Sequence, residues 1–94
     1  MKYRLVIPPA VEQTLIHLPP NLKRKVRSAL EAIREEPSLG KPLKDELKGL
    51  WSYPVSRYRI VYRIQRHMIE IQIIDIAPRS VIYEHIVALI KSES

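Results

Sequence analysis

Apolar and polar positions change their period partway along this chain. Lys2 to Ile7 is rich in β-formers and predicts a short strand, stopped by Pro8-Pro9. Over Ala10 to Leu18, Val11, Leu15 and Leu18 recur at helical spacing and predict a short helix. Pro19-Pro20-Asn21 breaks the chain, with Asn21 placed to cap a second helix. Along that helix Leu22, Val26, Ala29, Leu30 and Ile33 form one stripe, while Lys23, Arg24, Arg27 and Arg34 lie elsewhere on its surface. Pro37 ends it. Two helices so tightly linked make a helical hairpin.

Pro37 to Gly49 gathers prolines, glycines and charge, and predicts a surface connection. Afterwards the period becomes two. Trp51, Tyr53 and Val55 share one face, with Ser52, Pro54 and Ser56 on the other. Tyr58, Ile60, Tyr62 and Ile64 then oppose Arg57, Arg59, Val61 and Arg63. Gln65-Arg66-His67 predicts a hairpin turn. Met68 to Ile76 follows as a strand whose Ile69, Ile71 and Ile73 oppose Glu70 and Gln72. Ile74 and Ile76 make its far end apolar on both faces, as a central strand requires. Pro78 stops it. Ser80 is placed to cap a last helix through Ile90, with Ile82, Ile86 and Leu89 as its stripe and residues 91–94 as a frayed tail. The order β-α-α-β-β-β-α predicts a single α+β domain over residues 1–94. Its sheet is a mainly antiparallel meander with the helices on one face and Arg57, Arg59 and Arg63 displayed on the other.

Composition narrows the partners. Sixteen Lys and Arg against ten Asp and Glu give a net charge of +6. Lys41, Lys44, Lys48, Arg57, Arg59, Arg63 and Arg66 face only Asp45 and Glu46 within the same stretch, so this region holds most of the excess. Such asymmetry points to an anionic partner, nucleic acid or an acidic protein segment. The chain has no cysteine, which removes disulfides and thiolate metal sites. His17, His67 and His85 fall in separate elements without ligand spacing, so no metal site is expected. There is no phosphate-binding glycine loop and no Ser-His-Asp set. The few apolar residues before Pro8 are too short for a signal-peptide core, and no run reaches membrane-spanning length, so a cytoplasmic location is expected.

Tyr58-Arg59-Ile60-Val61-Tyr62 carries a further implication when joined to its flanks. It is preceded by Leu43-Lys44 and Leu47-Lys48-Gly49-Leu50-Trp51, and followed by Ala77-Pro78-Arg79 to Tyr83. Together with the element order, this pattern resembles the RelE/ParE toxin superfamily over nearly the whole chain. The resemblance implies the toxin of a type II toxin–antitoxin system, partnered by a cognate antitoxin and needing no cofactor. It implies an endoribonuclease that meets messenger RNA on the ribosome, where a ribose 2′-hydroxyl attacks the adjacent phosphate. Arg59 and Arg79 would then hold phosphate charge, since guanidinium donors match phosphate oxygens. Tyr83 would stack a base or handle a proton. Lys44, Lys48, Arg57 and Arg63 are the expected accessory RNA contacts. Where some active members carry basic residues on the preceding strand, this chain has Ser52 and Pro54. That keeps the ParE-like alternative open, in which the toxin poisons DNA gyrase by protein contact without catalysis. His85 is a lesser candidate for general acid.

Overall fold

The computed structural model describes residues 2–93. Five strands form one sheet in the order β1-β5-β4-β3-β2. They are β1 (Arg4–Val6), β2 (Lys41–Pro42), β3 (Leu50–Val55), β4 (Tyr58–Gln65) and β5 (Glu70–Pro78). Helices α1 (Pro9–Ile16) and α2 (Pro20–Glu35) follow β1, and α3 (Ile82–Glu93) closes the chain. All pairings are antiparallel except β1 with β5. The expected α+β meander with a helical hairpin on one face is the observed fold.

The two-residue periodicity places its side chains as expected. Trp51, Tyr53, Val55, Tyr58, Ile60, Tyr62 and Ile64 lie on the face that packs Val11, Leu15, Val26, Leu30 and Ile33 of the hairpin. On β5 the register to β4 shifts: Val61 pairs with Asp75 but Tyr62 with Ile73, leaving Ile74 as an extra residue. This bulge resets the alternation, so Ile71, Ile73 and Ile76 all face the hairpin. Ile74 turns to the opposite face. The double-sided apolar end of this strand therefore has a local geometric cause.

That opposite face is not open along its length. Ile82 and Ile86, one turn apart on α3, are fully buried against Leu50, Val61 and Ala77. Burying two such side chains stabilises the docked helix by about 1.5–3 kcal/mol each. The third helix thus lies across the face expected to display arginines, and it divides them.

Several boundaries differ from those read in the sequence. The second helix takes Pro20 as its first residue, with Pro19 before it and no side-chain cap; Asn21 accepts instead from the Arg24 guanidinium. Proline suits that position because its missing N–H would have no helical partner. The first helical bond of α3 runs from His85 N–H to the carbonyl of Val81, one residue beyond the expected cap Ser80. The helix continues through Glu93, so the tail expected over 91–94 is helical up to there, and Ser94 lies outside the described residues. Ile69 leaves the strand, sitting in the β4–β5 turn with a left-handed φ of 50°. The connection over 37–49 also hides an edge strand, β2, between two short 3-10 turns.

One ion pair, buried on its Glu70 side and exposed on its Arg4 side, joins β1 to β5. Glu70, whose side chain is 5% exposed, is the register partner of Arg4 and bonds its guanidinium. Gln72 Nε2 donates to its other oxygen at 3.3 Å. The bond from Arg4 holds the Glu70 carboxyl below the usual carboxylate range, against the opposing effect of burial. A depressed folded-state pKa adds stability that is complete above the ordinary carboxylate pKa and disappears as pH falls through the folded value. Denaturant midpoints followed from neutral to about pH 3 should fall less steeply for Glu70→Gln than for the parent chain. Parallel acid limbs would contradict this assignment.

Candidate anion-binding cleft

The sheet face opposite the hairpin carries a cleft of about 650 Å³ beside the start of α3. Arg59, Tyr83, Lys41, Lys44, Ser52 and Pro54 line it, and among the described residues no carboxylate does. Several elements position them. Arg59 pairs with Pro54 of β3 and Ala77 of β5, so it rises from the middle of the sheet. Tyr83 follows the buried Ile82 and therefore points about a quarter-turn round α3, where it stays 39% exposed. Lys41 is the register partner of Ser52, and paired residues share a face, so its side chain joins Arg59 rather than the hairpin core.

What holds the lysines here is the hydroxyl of Tyr62 on the other face. It donates to the Pro37 carbonyl at 2.6 Å and accepts the Gly40 N–H at 3.1 Å. Burial pushes this phenol up, despite the opposing bond from Gly40, so it stays a protonated donor. Gly40 must lack a side chain: a Cβ would stand 2.5 Å from that oxygen and 2.8 Å from the Ser52 carbonyl. Leu43 N–H bonds the Leu50 carbonyl at 2.8 Å and ties down the segment's other end.

Arg59 is half-buried, and among the described residues its guanidinium has no carboxylate or carbonyl partner. A structural ion pair is thereby ruled out as its reason for being there. Ser52 is 3% exposed, and among the described residues its Oγ has no hydrogen-bond partner. An unsatisfied buried hydroxyl costs about 1–3 kcal/mol. The cleft therefore combines one forked cation, two lysines and a phenol.

The remaining residues singled out in the sequence are spread more widely. Arg79 sits just past β5, exposed, with its backbone N–H bonded to the Arg57 carbonyl at 2.8 Å; it stands near the cleft without lining it. Arg57 lies in the β3–β4 turn and borders a groove against α2. Arg63 lies at the far end of β4, in a groove beside the last turns of α3. Lys48 is exposed in the connection before β3 and lines neither. His85 Nδ1 lies 3.1 Å from Asp75 Oδ2, while Asp75 Oδ1 accepts the Ile76 N–H, so this histidine helps fasten α3 to the sheet away from the cleft. Among the described residues no group of three or more His, Asp or Glu gathers as a metal set. The sequence shows Lys41 only as a member of the basic cluster, because a two-residue strand has no period to reveal its face.

With this geometry in view, comparison with known proteins decides the family. The family described as "ParE toxin of type II toxin-antitoxin system, parDE" matches residues 5–83. The chain belongs to that family of toxins. Within the wider RelE/ParE superfamily, this toxin is similar to a solved RelBE2 toxin–antitoxin complex from Mycobacterium tuberculosis. The two are 30% identical, with 84% of this chain and 100% of that one covered and a TM-score of 0.75. The archaeal RelE–RelB complex from Pyrococcus horikoshii OT3 is 23% identical over 84% and 97%, with a TM-score of 0.69. The isolated E. coli RelE toxin is 19% identical over 94% and 98%, with a TM-score of 0.71, a likeness of fold. No curated protein sequence matches the chain significantly.

The lysine segment of the toxin should depend on the Tyr62 hydroxyl. Tyr62→Phe leaves the Pro37 carbonyl and Gly40 N–H without that partner and should cost about 1–3 kcal/mol. The check is the denaturant midpoint at unchanged slope. Amide exchange should quicken at Gly40 and Leu43 before the central strands.

Proposed function

We propose that this toxin is an endoribonuclease acting on messenger RNA at the ribosome, with the Arg59 cleft as its site. The observation that carries this reading is an unpaired, half-buried guanidinium among two lysines and a phenol, with no carboxylate lining the cleft. Such a set favours a phosphodiester: negative charge is attracted, and every lining polar group can donate to oxygen.

The reaction is a transesterification. The ribose 2′-oxygen forms a bond to phosphorus while the bond to the 5′-oxygen breaks; the 2′-hydroxyl loses a proton and the departing oxygen gains one. Arg59 would hold the non-bridging oxygens as charge builds on the pentacoordinate phosphate. Lys41 and Lys44 supply the positive potential that Ser52 and Pro54 of β3 do not, and Arg79 adds to it at the rim. Tyr83 would stack the neighbouring base or pass a proton to the leaving oxygen. Lys48, Arg57 and Arg63 act at longer range.

A cognate antitoxin follows from the same reading, because the similar RelBE2 and RelE–RelB structures are complexes with antitoxins. Leu89 and Ile90 of α3, each 41% exposed, border an apolar groove of about 610 Å³ between α1 and α3, and an antitoxin segment would cover it. No helix among the described residues is long and apolar enough to cross a membrane, which agrees with the cytoplasm as the site of action.

One observation favours a second reading. The matching family is that of ParE toxins, and β3 offers Ser52 and Pro54 toward the cleft in place of cations. On that reading the basic face poisons DNA gyrase by contact. Incubation with translating ribosomes, followed by mapping of message 5′ ends, separates the two. New ends should form, and Arg59→Ala should slow them by about 10²–10³-fold, as for loss of one charge-stabilising donor. Intact message together with inhibited supercoiling would establish the gyrase reading instead.

A further inference from the structure

Helix α2 carries four cations that the fold does not use. Lys23, Arg24, Lys25 and Arg27 fall within five positions, and no acid occurs between Pro20 and Leu30. Lys23 sits in the first turn, where the helix dipole presents its positive end and disfavours further positive charge, and Arg24 and Lys25 follow it directly. Among the described residues none of the four pairs with a carboxylate; Arg24 bonds only the Asn21 side chain. The other cation of this helix differs: Arg34 bonds Glu31 and the Tyr3 carbonyl.

The position of these cations matters as much as their charge. Arg24 and Lys25 border a groove of about 370 Å³ between α2 and β3, and Tyr53 and Pro54 form its other wall. Tyr53 and Pro54 also line the Arg59 cleft. The two depressions therefore meet at the outer edge of β3, one on either side of it. That edge is free, because β2 pairs only with Trp51 and Ser52. Pro54 has no N–H to offer and is exposed, so the crossing is a poor template for an added strand.

We propose that an RNA strand seated in the Arg59 cleft crosses β3 at Pro54 and continues onto Arg24 and Lys25 of α2. The toxin would then grip phosphates beyond the one it cleaves. A polynucleotide fits this path better than an acidic peptide. None of the large exposed apolar side chains lies on the α2 groove; of its apolar lining Ala29 and Val55 are buried, which leaves a peptide few anchors, and the half-buried Tyr53 ring can stack a base. A phosphodiester chain needs only spaced cations. The inference rests on the reading that the cleft takes RNA, and its test separates the two.

Binding of uncleavable 2′-O-methyl RNA is measured by fluorescence anisotropy, with strands of about four and about twelve nucleotides, as single-strand binding sites span this range. The Arg24→Gln/Lys25→Gln double variant should bind the long strand about tenfold more weakly and the short strand as the parent does. Its salt dependence for the long strand should flatten by about 1.4 in log–log slope, about 0.7 for each lost phosphate contact. Arg59→Ala should weaken both strands, and Arg24→Lys/Lys25→Arg should restore the long-strand affinity. Equal weakening of both strands in the double variant, or none in either, overturns the path over Pro54 while leaving the cleft reading intact. Unchanged RNA binding with lost affinity for the antitoxin overturns it in favour of an acidic polypeptide. A parent chain that binds neither strand removes the cleft reading, and this proposal with it.

Discussion

A single phenol oxygen in the sheet decides where the lysines of the cleft can be. Tyr62 is fully buried on the hairpin side, its ring stacked at 6.5 Å from Trp51. Its hydroxyl reaches past the sheet edge to the chain leaving α2. Without that bridge the stretch after Pro37 would be a surface loop, since a two-residue strand contributes few ladder bonds of its own. With it, Lys41 is forced into register with Ser52 and onto the face of Arg59. The core and the cleft are thus two ends of one constraint. A side chain chosen for packing also sets the electrostatics on the opposite side of the sheet.

Strand β4 serves two apolar layers. Ile60 and Tyr62 belong to the hairpin core, Val61 to the smaller core under α3. The second core is what makes a cleft possible, because Ile82 and Ile86 lift a helix onto an otherwise flat face and leave Tyr83 hanging over its margin. The bulge at Ile74 matters to both layers: by resetting the alternation it lets β5 supply Ile76 to one and Ala77 to the other. His85 on Asp75 secures the next turn of α3. The geometry of the site therefore follows from how a sheet is shared between helices, and not from a loop built for the purpose.

How much of this was legible in the sequence depends on the range of the interaction. Strands β3, β4 and β5 and both helices of the hairpin declare themselves through local period, and the face of Arg59 follows from parity alone. The docking of α3 does not. Ile82 and Ile86 announce an apolar stripe, but Val61 reads as one hydrophobe among arginines, and nothing local says that it is covered. The gathering of Lys41 with Arg59 is still less visible, since it depends on a hydroxyl 21 positions away in the chain. The dispersal of Arg57 and Arg63 from Arg59 has the same origin. They share its strand or its turn, yet the strand outruns the cleft, and α3 separates what parity alone would join. The family pattern, resting on Tyr58 to Tyr62 and Arg79 to Tyr83, was readable because those residues are close in sequence.

Charge layout ties these observations together. Among the described residues, ion pairs join Lys2 to Glu35, Arg4 to Glu70, Arg34 to Glu31 and His85 to Asp75. None of these uses a cation from the stretch Lys41 to Arg66, or from the start of α2. Asp45 and Glu46 lie within reach in sequence of Lys41, Lys44 and Lys48 but pair with none of them. If the excess of +6 served only solubility, its cations would be expected to intersperse with acids and to avoid the positive end of a helix. Instead they border two depressions that meet at one sheet edge, beside a cleft without a carboxylate. Mutual repulsion at such a surface is tolerated because the cores on both sides of β4 hold it in place. An anionic chain laid along it would relieve that repulsion, and so would bind most strongly where the unliganded fold is most strained electrostatically.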